Sequence, residues 1–168
     1  MAAVTTLPAT FVAGNVLTAA QLNDLRGAFR VLQVVQATTA TEVNTTSTSY
    51  VTTGLSASIT PSATSSKILI VATIGARNSS AGSVGFFTAF RGTVAGTNLA
   101  VGAGTSFSNL YNGSNELWAS QSVVFLDSPS TVSATTYTIG MKLAAATTTL
   151  SAQRNGADST IILMEISA

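Results

Sequence analysis

The pattern of hydrophobic and polar positions changes period near residue 30. Before it, Leu22, Leu25 and Phe29 fall at i, i+3 and i+7, which places them on one face of a helix. The run from Leu17 to Gly27 also carries its own start and stop. Thr18 followed by Gln21 fits a capping box, in which each side chain satisfies the other's free backbone N–H. Leu17 and Leu22 stand where a hydrophobic staple would, and Gly27 can take the left-handed conformation that ends a helix. A helix this short is not stable alone in water, so its apolar face needs a partner. That partner is either the rest of this chain or another molecule. The expectation is an arm with a docking helix over residues 1–30, its contacts made by Leu17, Leu22, Leu25 and Phe29.

From Val31 the period is two, the alternation of strands with one face in a core. It predicts strands over 31–38, 49–53, 55–60, 67–76, 85–92, 117–127, 136–143, 148–154 and 160–167. In Val123-Val124-Phe125-Leu126 and Ile161-Ile162-Leu163-Met164 the apolar residues are continuous, which predicts burial on both faces. Turn signals separate the strands, among them Thr53-Gly54, Pro61-Ser62, Asn112-Gly113 and Asn155-Gly156. With no crossover helices a parallel α/β fold is excluded. The fold class expected is all-β, a sandwich or jelly roll of about eight strands over 31–168, preceded by the short N-terminal helix. Residues 93–115 are rich in Gly, Asn, Ser and Thr and have no regular pattern, as befits a functional loop or an extended arm.

Composition sharpens this picture. Only 8% of the 168 residues are charged and the net charge is +1, so no basic patch invites nucleic acid. The polar surface must come from 27 Thr and 21 Ser. Thr favours strands, and a charge-poor surface packs against copies of itself without desolvating ions. No apolar run approaches the length of a membrane-crossing helix, the longest being 68–76, and the first eight residues do not read as a signal peptide.

The chemistry available is narrow. With no His and no Cys, the commonest acid–base groups, metal ligands and thiol nucleophiles are absent. Lys67 and Lys142 alternate within strands and read as ordinary surface lysines. The six carboxylates, Asp24, Glu42, Glu116, Asp127, Asp158 and Glu165, are scattered singly, whereas a glycosidase needs a close pair. Calcium at Asp127 or Asp158 lacks an Asp-x-Asp loop to support it. Gly102-Ala103-Gly104 lacks the third glycine and the helix of a dinucleotide site. The expectation is therefore no enzyme, no catalytic residue, no cofactor and no metal. Phe107, Tyr111 and Trp118 are candidates for a ligand or contact loop, with Trp118 and Tyr111 able to stack on a sugar; Trp118 starts a core strand and is expected to pack inside. Arg77, Arg91 and Arg154 end or follow strands and read as surface or subunit-contact residues.

Two stretches resemble known proteins. Gly14-x-x-Leu17-Thr18-Ala19-Ala20-x-Leu22-Asn23 resembles the opening of many tailed-phage structural proteins, where such a segment precedes a fibre or decoration domain. The stretch from Ser49 to Ile70 is similar to β domains of tail-fibre-like proteins from marine and cyanobacterial phages, and Phe90-Arg91-Gly92-Thr93, Phe125–Pro129 and Ser159–Ile166 fit that pattern in order. The resemblance implies a virion structural protein and a homotrimer, without assigning it to tail or capsid; the leading expectation is a tail-fibre or adhesin-like role in host attachment. Its partners would be itself, other virion proteins of tail or capsid, and a host cell-surface glycan. Because the chain is short for a complete fibre, a capsid decoration protein that stabilises the shell is the nearest alternative, and a free carbohydrate-binding module the next.

Overall fold

The computed structural model describes residues 31–101, 106–113 and 115–167. The expected docking helix, with Leu17, Leu22, Leu25 and Phe29, lies outside the described residues. Within them the chain is all-β. Its elements are β1 (Val31–Thr39), β2 (Val43–Thr45), β3 (Val51–Ile59), β4 (Lys67–Asn78), β5 (Val84–Arg91), β6 (Thr97–Asn98), β7 (Ser108–Tyr111), β8 (Leu117–Asp127), β9 (Thr135–Leu143), β10 (Leu150–Ala152) and β11 (Ser159–Ile166). One short 3-10 turn, Arg154–Gly156, stands between the last two strands.

The strands form two antiparallel sheets. In the first the order is β1-β11-β4-β10-β2, with β8 on the other edge of β4; in the second it is β3-β9-β5-β6, with β7 also on β5. β4 pairs along its whole length with β8. Its opposite edge is shared, with β11 covering Lys67–Thr73 and β10 covering Ala76–Asn78.

The core lies between the sheets and is built by alternation. Leu55, Ala57 and Ile59 of β3, Ile68, Ile70, Ala72 and Ile74 of β4, and Tyr137, Ile139 and Met141 of β9 all point inward and are buried in one cluster. β-Branched Ile suits this pleated surface, and each such side chain taken from water contributes about 1.5–3 kcal/mol.

Several expectations need correction. The stretches 49–53 and 55–60 form a single strand, β3. Between the pairs Thr52↔Gly140 and Ser56↔Thr138 the register shifts, and Gly54 at φ 80° supplies the left-handed residue of this bulge. The turn signal there marks an irregularity inside a strand. The continuous apolar runs are not buried on both faces. In β8, Val123 is fully buried while Val124 is 59% exposed and Leu126 is 46% exposed. In β11, Ile161 and Leu163 point into the core while Ile162 and Met164 are only half-buried on the opposite face. The short strands β2, β6 and β7 are additional, the last two lying in the stretch that had no sequence pattern.

Polar groups close the ends of the sandwich. Asp127, at the end of β8, accepts hydrogen bonds from Arg91 Nε at 2.8 Å and from the Tyr137 hydroxyl at 2.7 Å, and also meets the Arg91 terminal nitrogen. Arg91 and Tyr137 belong to the second sheet, so this trio ties the two sheets together. Burial and the adjacent Asp127 carboxylate push the Tyr137 hydroxyl far above its ordinary pKa, and the Asp127 hydrogen bond raises that of Arg91.

Glu165 ends the inward face of β11 and is fully buried. Its carboxylate accepts from the Ser62 amide at 2.7 Å, the Ser62 hydroxyl at 2.6 Å and Gln33 Nε2 at 2.6 Å. Burial alone would raise its pKa, but these bonds and one from Ser66 outweigh it and hold the carboxyl at about 2.

Two predictions follow from these closures. Glu165 titrates lower in the folded chain than its ordinary 4.5, so its contribution is complete above that pH and lost as pH falls toward about 2. Thermal melts should therefore show stability declining across this window in the native chain and a flatter profile in Glu165→Gln. In urea unfolding at neutral pH, Asp127→Ala should cost about 2–3 kcal/mol and Tyr137→Phe about 1 kcal/mol, because the first strands two partners and the second removes one hydrogen bond.

Candidate functional site

The outer face of the first sheet holds two features that share its strands. The first is a pair of uncharged rows running across the strands, apolar at every position but Gln36. Val34, Met164, Leu69 and Leu126 stand side by side on β1, β11, β4 and β8. The next row outward is Gln36, Ile162, Val71 and Val124. Neither row contains a charge. Val34 is 58% exposed, matching the open end at Val124 and Leu126. A third row, Thr38, Thr160, Thr73 and Ser122, is made of hydroxyls alone. The second sheet differs, because its outer face is partly covered by its own aromatics. Tyr50 stands edge-on to Phe90 with ring centroids 5.2 Å apart, and Lys142 Nζ lies 4.7 Å from the Tyr50 ring centroid.

Beyond the hydroxyl row lies the second feature, a cleft of about 370 Å³. Gly75 and Ser120, paired across β4 and β8, form its floor. Trp118 walls one side, and Arg154 and Ala157 wall the other.

The local sequence explains the far wall. β10 and β11 follow the same edge of β4, yet from Ala152 to Thr160 the chain advances eight residues while β4 advances only three, from Ala76 to Thr73. The surplus loops out through three left-handed positions in four residues, Gln153 at φ 55°, Asn155 at φ 57° and Gly156 at φ 72°. Gln153 anchors the loop from beneath. Its backbone N–H donates to the Gly75 carbonyl at 2.8 Å. Its buried side-chain amide is oriented to donate to the Thr53 carbonyl at 3.0 Å and to accept from the Ser159 hydroxyl at 2.9 Å. Ala157 then lies over Gly75 so closely that a Cβ on Gly75 would sit 2.9 Å from that of Ala157. A glycine at 75 is thus required for the loop to settle.

Two ion pairs flank the cleft. The Arg77 guanidinium lies 5.8 Å from the Trp118 ring centroid and pairs with Glu116. Arg154 Nη1 donates to both oxygens of Glu42, at 2.8 and 3.0 Å. Hydrogen bonds from Asn44 and Arg154 hold Glu42 below the usual carboxylate range. Arg154 Nε is buried and has no hydrogen-bond partner. The lining brings together an indole, a hydroxyl and a guanidinium, an arrangement that suits stacking and hydrogen bonding.

The three residues expected to form a contact loop are not brought together. Trp118 is 47% exposed on the outer face instead of packed in the core, because its partner across the ladder is Arg77 and both point outward. Phe107 packs between the sheets, its ring 5.2 Å from that of Phe125. Tyr111 is 65% exposed at the end of β7, in the second sheet. Of the arginines expected at the surface, Arg91 is instead engaged in the inter-sheet trio. Asp127, considered for calcium, is occupied by Arg91 and Tyr137. Arg154, Gly75 and Ala157 were not singled out together by the sequence. The only signal was Asn155-Gly156, which marks a turn without revealing that the chain rejoins the same edge.

Compared with models of protein families and with curated proteins, the sequence matches none.

Proposed function

We propose that this chain is a non-enzymatic structural protein of a phage virion, a tail-fibre or adhesin-like module whose β domain associates as a homotrimer and whose residues 1–30 attach it to other virion proteins. The observation that carries the self-association is the outer face of the first sheet, with two adjacent uncharged rows across four strands that are apolar at every position but Gln36. Such a face is an interaction site by default, since water penalises it and nothing charged must be desolvated to cover it.

The occupant proposed is a second copy of this chain. At one margin of the face lies β8, an eleven-residue strand whose backbone ladder, among the described residues, pairs only with β4. A long open edge carrying Val124 and Leu126 is unusual unless another chain covers it. At the opposite margin β1 presents Val34. Packing one copy's β8 margin on the next copy's β1 margin is a head-to-tail contact, which closes into a ring when the rotation allows.

The fold is proposed to be a jelly roll. Counting β1 with β2, β6 with β7, and β10 with β11 as interrupted strands leaves eight, four in each sheet, with β3 following β1/β2 across the sandwich and β9 following β8. That interleaving supports the reading, and jelly rolls serve in capsid and lectin domains. Fold by itself does not give function, so the weight rests on the apolar face and on the phage-like segments at Gly14–Asn23 and Ser49–Ile70.

Light scattering at micromolar concentration should give three times the 17.0 kDa of one chain. Val124→Lys combined with Leu126→Lys should reduce it to a single chain that still unfolds cooperatively, at a lower melting temperature because the stabilisation by association is lost, since both side chains are exposed in one copy and an unpaired buried charge costs several kcal/mol in the contact. A mass of one chain for the native protein would overturn the trimer. Deleting residues 1–29 should leave the melting temperature of the β domain in place and abolish incorporation into particles. A large drop in melting temperature with incorporation intact would overturn the attachment role. Imaging of particles with the protein labelled separates tail from shell.

A further inference from the structure

We propose that the Trp118 cleft is a binding site for a neutral carbohydrate, one or two pyranose units of a glycan. The inference supplies a ligand class for the adhesin reading above but stands on the cleft alone.

The cleft has the size, shape and donors for it. At about 370 Å³ it falls within the range of small-ligand sites. Trp118 offers a half-exposed indole face beside a floor of Gly75 and Ser120. A pyranose ring has one face of C–H groups that packs on an aromatic plane and removes it from water, while its hydroxyls point outward in the ring plane. The floor opposite is shaped by the absence of bulk, since Gly75 has no side chain and Ser120 ends in a single hydroxyl. That hydroxyl both donates and accepts, as sugar hydroxyls do. On the far wall Arg154, its side chain 39% exposed and held by Glu42, offers guanidinium N–H donors at the cleft.

Charge selects the class of sugar. Arg154 is neutralised by Glu42 and Arg77 by Glu116, so the two cations near the cleft are already matched by two anions. A polyanion such as nucleic acid or a sulfated glycan would have to displace those carboxylates. A neutral glycan need not, and the paired side chains are held in fixed positions from which to donate or accept. The row of Thr38, Thr160, Thr73 and Ser122 beside the cleft extends the hydroxyl-bearing surface along which further sugar units can lie.

Trp118 is the sole tryptophan of the chain, so its emission reports on this cleft and nothing else. The intact protein is titrated with methyl glucopyranosides, galactopyranosides and mannopyranosides and the corresponding disaccharides, up to tens of millimolar. A saturable change in tryptophan emission is expected with at least one of them. Arg154→Ala should weaken it at least tenfold, and Ser120→Gln, which raises the floor at an exposed position, should do the same. Tyr111→Ala, on the other sheet, should leave it unchanged. Calorimetry on Trp118→Ala should find binding lost while the melt is retained. No saturable change with any of these sugars overturns the proposal, as does saturation by a sulfated polysaccharide alone or binding that survives both Arg154→Ala and Ser120→Gln. Light scattering and particle incorporation on the same samples read the virion proposal separately, so either can fail without the other.

Discussion

The first sheet depends on β4 holding partners along both of its edges. Every other strand of that sheet either hydrogen-bonds directly to β4 or is one strand removed from it. One face of β4 supplies Ile68, Ile70, Ala72, Ile74 and Ala76 to the core. Its other face carries Leu69 and Val71 in the apolar rows, Thr73 in the hydroxyl row, and Gly75 and Arg77 at the cleft. The strand thus divides its two faces between the core and the outer surface. Because pleat periodicity is strict, a slip of one residue in its register would exchange the two sets, placing Arg77 and Lys67 in the core.

With few charges available, the protein places them where they decide something. Of the ionisable residues described, Asp127 and Arg91 join the sheets, Glu165 secures the connection between β3 and β4, and Arg77, Glu116, Arg154 and Glu42 frame the cleft. Apart from Lys67, Lys142 and Asp158, the rest of the described surface is hydroxyl-rich and apolar. Such a surface gives little long-range electrostatic steering and little repulsion between copies, which favours close packing of identical domains over selective capture of charged partners.

Much of the fold was legible because alternation is a local signal. The strand at 117–127 and the near matches at 67–78, 84–91, 135–143 and 159–166 all have period-two patterns bounded by turn residues. The failures share a cause in context that a local pattern does not contain. Whether Val124 and Leu126 face a second layer depends on how many layers stack on the sheet, which is a property of topology. Gly54 looks the same in a turn and in a bulge. Trp118 was misplaced for a related reason: its position in the alternation was readable, but which parity faces inward is settled only by its register with Arg77. The cleft was the least legible feature. Its walls come from β8 and from the loop after β10, more than thirty residues apart in sequence. No pattern within either segment announces the other.

The loop between β10 and β11 leaves the edge of β4 and returns to that same edge with pairing resumed on both sides. Its contour is therefore uncoupled from the register of the sheet. Residues could be added or exchanged between Arg154 and Asp158 while Gln153 and Ser159 remain pinned beneath. In evolutionary terms the segment is a cassette: the scaffold can stay constant while the wall facing Trp118 diversifies. A lineage under pressure to change what it recognises could do so here without revisiting the folding problem.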